Sequence, residues 1–201
     1  TEIPQDLVTP EQYQPQGWVT VGGKPATWEA CHTFSGSWGY YRDETTWKSP
    51  EQLIQMLINS ASCGGNLLMN VGPTGRGTFD DRACTALDVY ADWMRTNSRS
   101  VYGCTMSRFK APSDCRYTQS GKRLYLHIFS WPFKHIYCEG LAGKVQYAQF
   151  LHDASEVQIT HGVANTERLG LPKQKGKGML VVELPVLRPN ITVPVVELFL
   201  K

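Results

Sequence analysis

The spacing of apolar positions changes twice along the chain. Leu53, Ile54, Leu57, Ile58 and Ala61 recur three and four residues apart, which predicts a helix with one apolar face. Its start is marked locally: Ser49 can cap it, Pro50 suits the first helical position and Gln52 completes a capping box. Gly64-Gly65 ends it. Asn66 to Val71 is a short, nearly continuous apolar run, as expected of a strand buried on both faces of a parallel sheet. A second helix is predicted from about Asp80 to Asn97, with Leu87, Tyr90, Ala91 and Met94 on its apolar side. A short strand from Thr27 to Phe34, ending in the turn Gly36 to Gly39, precedes both helices. Strand, helix, strand, helix is the alternation of an α/β fold.

After about Gly103 the pattern shortens. Residues 123–131, 145–151, 179–184 and 191–200 are β-prone and partly alternating, with turn residues between them, which predicts an antiparallel β-sandwich. The change of texture divides the chain into residues 1–104 and 105–201, with a linker near 103–113. Residues 1–27 show no period and carry Pro4, Pro10, Pro15 and Pro25 with Gly17, Gly22 and Gly23. They read as one irregular loop, and Tyr13 and Trp18 favour an ordered one. Two βα units cannot cover both faces of a parallel sheet, so the first part reads as the end of a larger α/β domain.

Composition narrows the functional classes. Among 201 residues, 20 Lys and Arg face 18 Asp and Glu, a net charge of +2, which gives no electrostatic footprint for nucleic acid. No apolar run approaches the roughly 18 residues that span a bilayer, and no secretory signal is visible. Neither nucleic acid nor membrane is therefore an expected partner. The six cysteines contain no C-x-x-C pair and read as mostly buried free thiols; the five histidines form no i, i+4 ligand pair. No metal or other cofactor is expected. Gly72 to Thr78 lacks the Gly-Lys ending of a phosphate loop and reads as a turn. No G-x-S-x-G elbow supports serine hydrolysis.

Carboxylates beside aromatic residues are the more promising chemistry. Glu11 lies in Thr9-Pro10-Glu11-Gln12 near Tyr13 and Trp18; Glu29 follows Trp28 at the start of a predicted strand; Trp38 lies just past that strand's end. Acids that work on a glycosidic oxygen, with an apolar wall for a ring face, are the parts of a sugar site.

Four segments then carry a resemblance: Trp28-Glu29-x-Cys31-x-Thr33, Ser37-Trp38-Gly39-Tyr40, Gly64-Gly65-Asn66-Leu67-Leu68-x-Asn70-x-Gly72-Pro73, and Val101-Tyr102-Gly103. In order and spacing the chain resembles the retaining α-L-fucosidases of glycoside hydrolase family 29. The resemblance implies the last βα units of a (β/α)8-like barrel, a remnant of the catalytic domain, followed by an antiparallel β-sandwich. It implies a fucosylated oligosaccharide or glycoconjugate as substrate. It also implies an Asp nucleophile in a Trp-x-Asp context, which these residues do not contain, so the remainder of the catalytic domain is expected N-terminal to them and the chain alone is expected to be inactive.

By the same resemblance, Glu11 matches the general acid/base and Trp38 a pocket position facing the fucose methyl. Gln12 falls at a neighbouring sugar-contacting position that is often aromatic. Glu29 is the alternative acid. Because catalytic groups of such barrels sit at the C-terminal ends of the strands, Glu29, entering its strand, is expected toward the opposite face, and Glu11 is preferred. The family's members are secreted, periplasmic or lysosomal, and the sequence does not choose among these. The competing reading is a non-catalytic carbohydrate-binding or interaction module on residues 105–201, with Trp131, Phe133 and Tyr137 stacking on sugars.

Overall fold

A computed structural model describes residues 6–162 and 178–201. The chain forms two compact units, Thr1–Met106 and Ser107–Lys201.

The first unit is built on a parallel ladder. Strand β3 (Glu29–Thr33) pairs in parallel with β4 (Asn66–Asn70), from Glu29 beside Asn66 to Thr33 beside Asn70. Helix α1 (Pro50–Ser62) connects them, and helix α2 (Asp81–Asn97) follows β4. The capping box on α1 forms as the sequence predicts: the Ser49 side chain accepts from the Gln52 amide, and the Ser49 amide donates to the Gln52 side chain. Asp80 caps α2 through the amide of Arg82.

On β3's other side lies an element that the sequence reading took for loop. The amides of Val8 and Gln12 donate to the carbonyls of Thr27 and Cys31, while Glu29 and Cys31 donate to Val8 and Pro10. Residues 8–12 therefore run as a third parallel strand. In a parallel ladder the amide of residue 10 would bond the Glu29 carbonyl; proline has no such hydrogen, so one rung is missing. That missing rung hides the strand. The rest of the N-terminal stretch includes a tight hairpin, β1 (Thr20–Val21) with β2 (Lys24–Pro25), turning at Gly22-Gly23.

Two other expectations are corrected. The strand at Asn66 is not buried on both faces: Leu68 is 51% exposed, and Asn66 is exposed beside it. On the other face of the ladder Met69 packs against the cluster of Phe34, Leu53, Ala83 and Ala86. On α2 the predicted Leu87 and Tyr90 pack against that cluster, but Ala91 faces solvent and the fully buried residues are Ala83, Ala86, Trp93 and Asn97. Contact with Phe34, which stacks on Tyr90 at 6.3 Å, fixes that rotation of the helix. Tyr90 also donates its hydroxyl to the Leu53 carbonyl at 2.6 Å, tying the two helices.

The two glycines that end α1 have separate steric reasons. Gly64 adopts a left-handed φ of 77°. A Cβ on Gly65 would sit 2.1 Å from the indole of Trp28, which is almost wholly buried. The Gly-Gly pair thus lets β4 start directly against a tryptophan.

The second unit contains two antiparallel sheets. In one, β6 (Cys115–Ser120), β7 (Arg123–Ile128), β12 (Val195–Leu200) and β9 (Val145–Phe150) are neighbours in that order. The register of β12 against β9 shifts between Phe199 and Leu200. In the other, β10 (Gln158–His161), β11 (Leu180–Glu183) and β8 (His135–Cys138) pair in that order. Alternate residues of both sheets, among them Leu124, Leu126, Ile136, Val182, Val196 and Leu198, form one apolar cluster. The six cysteines are unbridged, but only Cys115 and Cys138 are buried, so the expectation of mostly buried thiols fails. Cys31 lies on the open ladder face and Cys84 on the outer side of α2. Burial pushes Cys115 up to about 12 and Cys138 up to about 11, so both stay protonated thiols at neutral pH.

Gly65→Ala should be costly, because the added methyl meets a buried ring that cannot withdraw. Overpacking of this kind costs about 1–3 kcal/mol. A drop in Tm with Gly65→Ala, alongside a nearly unchanged Tm for Gly75→Ala at an open position, is the expected result.

Candidate active site

Partners side by side in a parallel ladder turn the same way, and successive residues turn opposite ways. Glu11 is level with Cys31, which is level with Leu68. Glu29, level with Asn66, lies two residues nearer the start of β3 and shares the same face. Ala30 and His32 turn to the other face and are buried. Glu11 is therefore an exposed carboxylate at the C-terminal end of the 8–12 strand, while Glu29 stands at the N-terminal end of its own. At about 3.3 Å per residue, the two levels are separated by roughly 6–7 Å along the strands.

Immediately after Glu11 the chain turns sharply. Gln12 has a φ of 53° and its side chain is exposed; its amide is the last rung to β3. Gln14 then anchors the chain to α1, donating to the Met56 carbonyl at 2.8 Å and to the Ser60 hydroxyl at 3.1 Å. The position of Glu11 is thus fixed on both sides by bonds to neighbouring elements.

Trp38 sits in the loop that leaves the C-terminal end of β3. Its ring is 42% exposed, and its carbonyl accepts from the Asn70 side chain at 2.5 Å. Asn70 ends β4, so the loop after one strand is pinned by the end of the next. Glu11 and Trp38 thus occupy the same end of neighbouring parallel strands, and Glu29 the opposite end. A small cavity lined by Ser35, Ser37, Tyr40, Trp47, Asn70 and Gly72 lies at that end as well.

The charged groups that shape this loop, Glu44, Lys48 and Arg82, carry no sequence signature and were not among the predicted site residues. Glu44 accepts from the Ser37 hydroxyl at 2.6 Å, from the Thr46 hydroxyl at 2.6 Å and from the Thr46 amide at 2.7 Å. These bonds, that from Ser37 foremost, hold its carboxyl down to about 2. Lys48 donates to the Thr33 carbonyl at 2.7 Å and to the Ser35 carbonyl at 3.3 Å, and Thr33 donates its hydroxyl to the Ser35 carbonyl. Burial lowers the Lys48 ammonium from its ordinary range. Arg82, paired with Asp80, reaches back to the carbonyls of Glu44 and Arg42 and covers the Trp47 ring at 4.6 Å. Asn70, Ser37 and Thr33 stand in the motifs quoted above, whereas Glu44, Thr46, Lys48 and Arg82 stand in none.

Other candidates resolve simply. In the Gly72–Thr78 segment the Thr74 amide bonds the Thr78 carbonyl and the Gly77 amide bonds the Thr74 carbonyl, which is a self-contained turn. Among the described residues no group of three or more His, Cys, Asp and Glu could hold a metal ion. No described helix is long and apolar enough to cross a membrane.

Comparison with known proteins supplies the class. The sequence profile of a family described as Alpha-L-fucosidase matches residues 1–99. The plasma α-L-fucosidase of Rattus norvegicus is 30% identical over 178 residues, 81% of this chain and 35% of the rat protein. Among solved structures, α-L-fucosidase isoenzyme 1 from Paenibacillus thiaminolyticus superposes with a TM-score of 0.87 at 34% identity, over 98% of this chain and 45% of that one. A GH29 α-L-fucosidase from Bacteroides thetaiotaomicron, trapped as a covalent intermediate with 2-fluoro-fucosyl fluoride in a glutamate-to-glutamine variant, shares the fold. Its TM-score is 0.78 at 21% identity, over 96% of this chain and 42% of that one. The parallel βα unit and the antiparallel unit are thus shared with glycoside hydrolases. Within them, the chain belongs to the α-L-fucosidases of glycoside hydrolase family 29. It spans less than half the length of each of these relatives.

The Glu44 clamp predicts a pH response. A carboxyl whose pKa is lowered on folding stabilises the fold above its unfolded value near 4.3 and loses that contribution as pH falls toward 2. Acid unfolding of the wild type across this window should be steeper than that of Glu44→Gln, which has no proton to take up there. Asp80, held down to about 2 chiefly by its bond from Arg82, titrates in the same window and remains in both proteins. Thermal melts from pH 5 to about 2 give the difference; coincident profiles would show that the clamp contributes nothing.

Proposed function

We propose that the intact protein is a retaining exo-α-L-fucosidase acting on fucosylated oligosaccharides or glycoconjugates. The first unit is then the C-terminal part of a (β/α)8-like catalytic barrel, and the second a C-terminal β-sandwich. The observation that carries the reading is the ladder: an exposed glutamate ends one parallel strand, and an aromatic side chain stands on the loop after the next. That is the end of the strands where barrel enzymes do their chemistry.

In this reading Glu11 is the general acid/base. Protonated, it donates to the glycosidic oxygen while an aspartate from an N-terminal part of the protein attacks the anomeric carbon and the C–O bond breaks. Its carboxylate then takes a proton from water, whose oxygen attacks the anomeric carbon and releases fucose and the free aspartate. Retaining enzymes hold the two carboxyl groups about 5–5.5 Å apart. A covalent intermediate trapped in the Bacteroides relative by replacing a glutamate with glutamine agrees with this sequence of steps. Glu29, at the far end of its strand, serves the fold. Trp38 offers an apolar wall for the sugar's methyl group, and Gln12 a polar contact beside Glu11. Residues 1–201 alone, lacking the aspartate, hydrolyse nothing.

Leaving-group dependence tests the proton assignment. In the full-length protein, Glu11→Gln should lose most activity on fucosides with poor leaving groups and much less on nitrophenyl fucoside. Azide should accelerate the variant, since it attacks without a general base. Glu29→Gln should lower Tm without either signature; the reverse pattern would transfer the role to Glu29.

Trp38→Ala tests the apolar wall. Removal of a large apolar contact costs about 1.5–3 kcal/mol, roughly a tenfold to hundredfold fall in kcat/KM. The fall should be greater for fucoside than for galactoside, whose hydroxymethyl gains little from the indole. An equal fall for both sugars would assign Trp38 to loop packing instead.

A further inference from the structure

The second unit carries an open cleft of about 510 Å³ whose described lining residues all belong to that unit. Residues 110–115 form one wall; the turn Ser130–Pro132 and strand β8 form the other. Among the described residues β8 is an edge strand, paired only with β11. The Leu184 amide bonds the Lys134 carbonyl, and Ile136 and Cys138 follow at the same parity. By the alternation of an antiparallel ladder, the amides and carbonyls of His135 and Tyr137 point toward the free edge.

Side chains repeat that division. Ile136 and Cys138 enter the core, whereas His135 is half-buried and Tyr137 is 47% exposed, their rings 6.3 Å apart. Trp131 stacks on Phe150 at 6.4 Å, which holds an aromatic surface rigid beside the cleft. Two exposed carboxylates also line the cleft, Asp114 on the 110–115 wall and Glu139 just after β8, neither in an ion pair among the described residues. Asp114 is held by its backbone: its φ is 56° and its carbonyl accepts from the Phe129 amide at 2.8 Å. Phe133, grouped with Trp131 and Tyr137 in the sequence reading, projects into solvent and does not line the cleft.

Chemistry selects the ligand class. Two carboxylates against the single ammonium of Lys110 disfavour a phosphate or other anion. An apolar guest would strip water from both carboxylates without replacing it. A neutral polyhydroxylated ring satisfies both walls: its C–H face lies on the aromatic rings, and its hydroxyls donate to the carboxylates and bond the free edge of β8. We infer that this cleft is a glycan-contact site for one or two neutral pyranose rings, additional to the hydrolytic site. The choice of a glycan rests on the fucosidase reading, because a fucosylated substrate carries other sugars beside the one removed.

The test is titration of the 201-residue protein with N-acetyllactosamine to about 10 mM, enough to saturate a site with a Kd near 1 mM. Saturation-transfer NMR and tryptophan fluorescence report binding. Saturable binding is expected. It should weaken at least about tenfold, or 1.4 kcal/mol, in Tyr137→Ala and in the double variant Asp114→Asn, Glu139→Gln, and persist in Tyr137→Phe and Trp38→Ala. The double variant replaces exposed side chains and keeps the test valid if Tyr137→Ala fails to fold. Absence of saturable binding by the wild type would overturn the proposal. So would binding that survives both cleft changes, binding lost in Tyr137→Phe, or binding lost in Trp38→Ala. Fucoside hydrolysis by the full-length protein, which the cleft variants leave unchanged, tests the fucosidase reading separately.

Discussion

Four backbone hydrogen bonds join residues 8–12 to β3, and the arrangement of the first unit's site depends on them. They set the register that makes Glu11 level with Cys31. A slip of one residue would turn Glu11 to the buried face, beside Ala30 and His32, where an ionised carboxylate has no partner. The rung missing at Pro10 weakens the strand, and Gln14 compensates by fastening the chain to α1 just beyond the turn.

The same ladder organises the loop that carries Trp38. β3 and β4 end together, Thr33 beside Asn70, so Asn70 can reach the carbonyl of Trp38. Behind that contact, Glu44 gathers Ser37 and Thr46, Lys48 ties the loop to the carbonyls of Thr33 and Ser35, and Arg82 closes it from α2. Exposed charged pairs contribute little singly, but a carboxylate accepting three bonds has one favoured geometry. The loop is ordered by polar groups while its aromatic side chain stays open to solvent, which suits a wall that must meet a ligand.

The second unit solves a different problem. Its edge strand β8 shields one side in the pairing with β11 and leaves the other side facing the cleft. Exposed edges invite pairing with another chain unless something blunts them. Here the strand is only four residues long, and charged residues stand at both ends, Lys134 bridged to Glu183 and Glu139 exposed at the rim.

Much of this was legible in the sequence, and the reasons are local. The capping box at Ser49, the helix start near Asp80 and the Gly-Gly stop are decided within a few residues of chain, so their residue types announce them. The order of motifs from Trp28 to Gly103 identified the family because each marks a fixed place on a strand or turn. What remained hidden depended on distant partners. The 8–12 strand looked like loop because proline removes a rung that only pairing with β3 reveals. On α2 the predicted Leu87 and Tyr90 do face the core, but Ala91 does not, because Phe34 and Leu53, far away in sequence, set which side faces inward. Glu44 looked like any surface acid until Ser37 and Thr46 folded over it. Sequence alone determined which residues cap, turn and end the elements, since those effects act over one helical turn. The tertiary structure alone decided which face each carboxylate occupies, since that is set by register between strands distant in sequence.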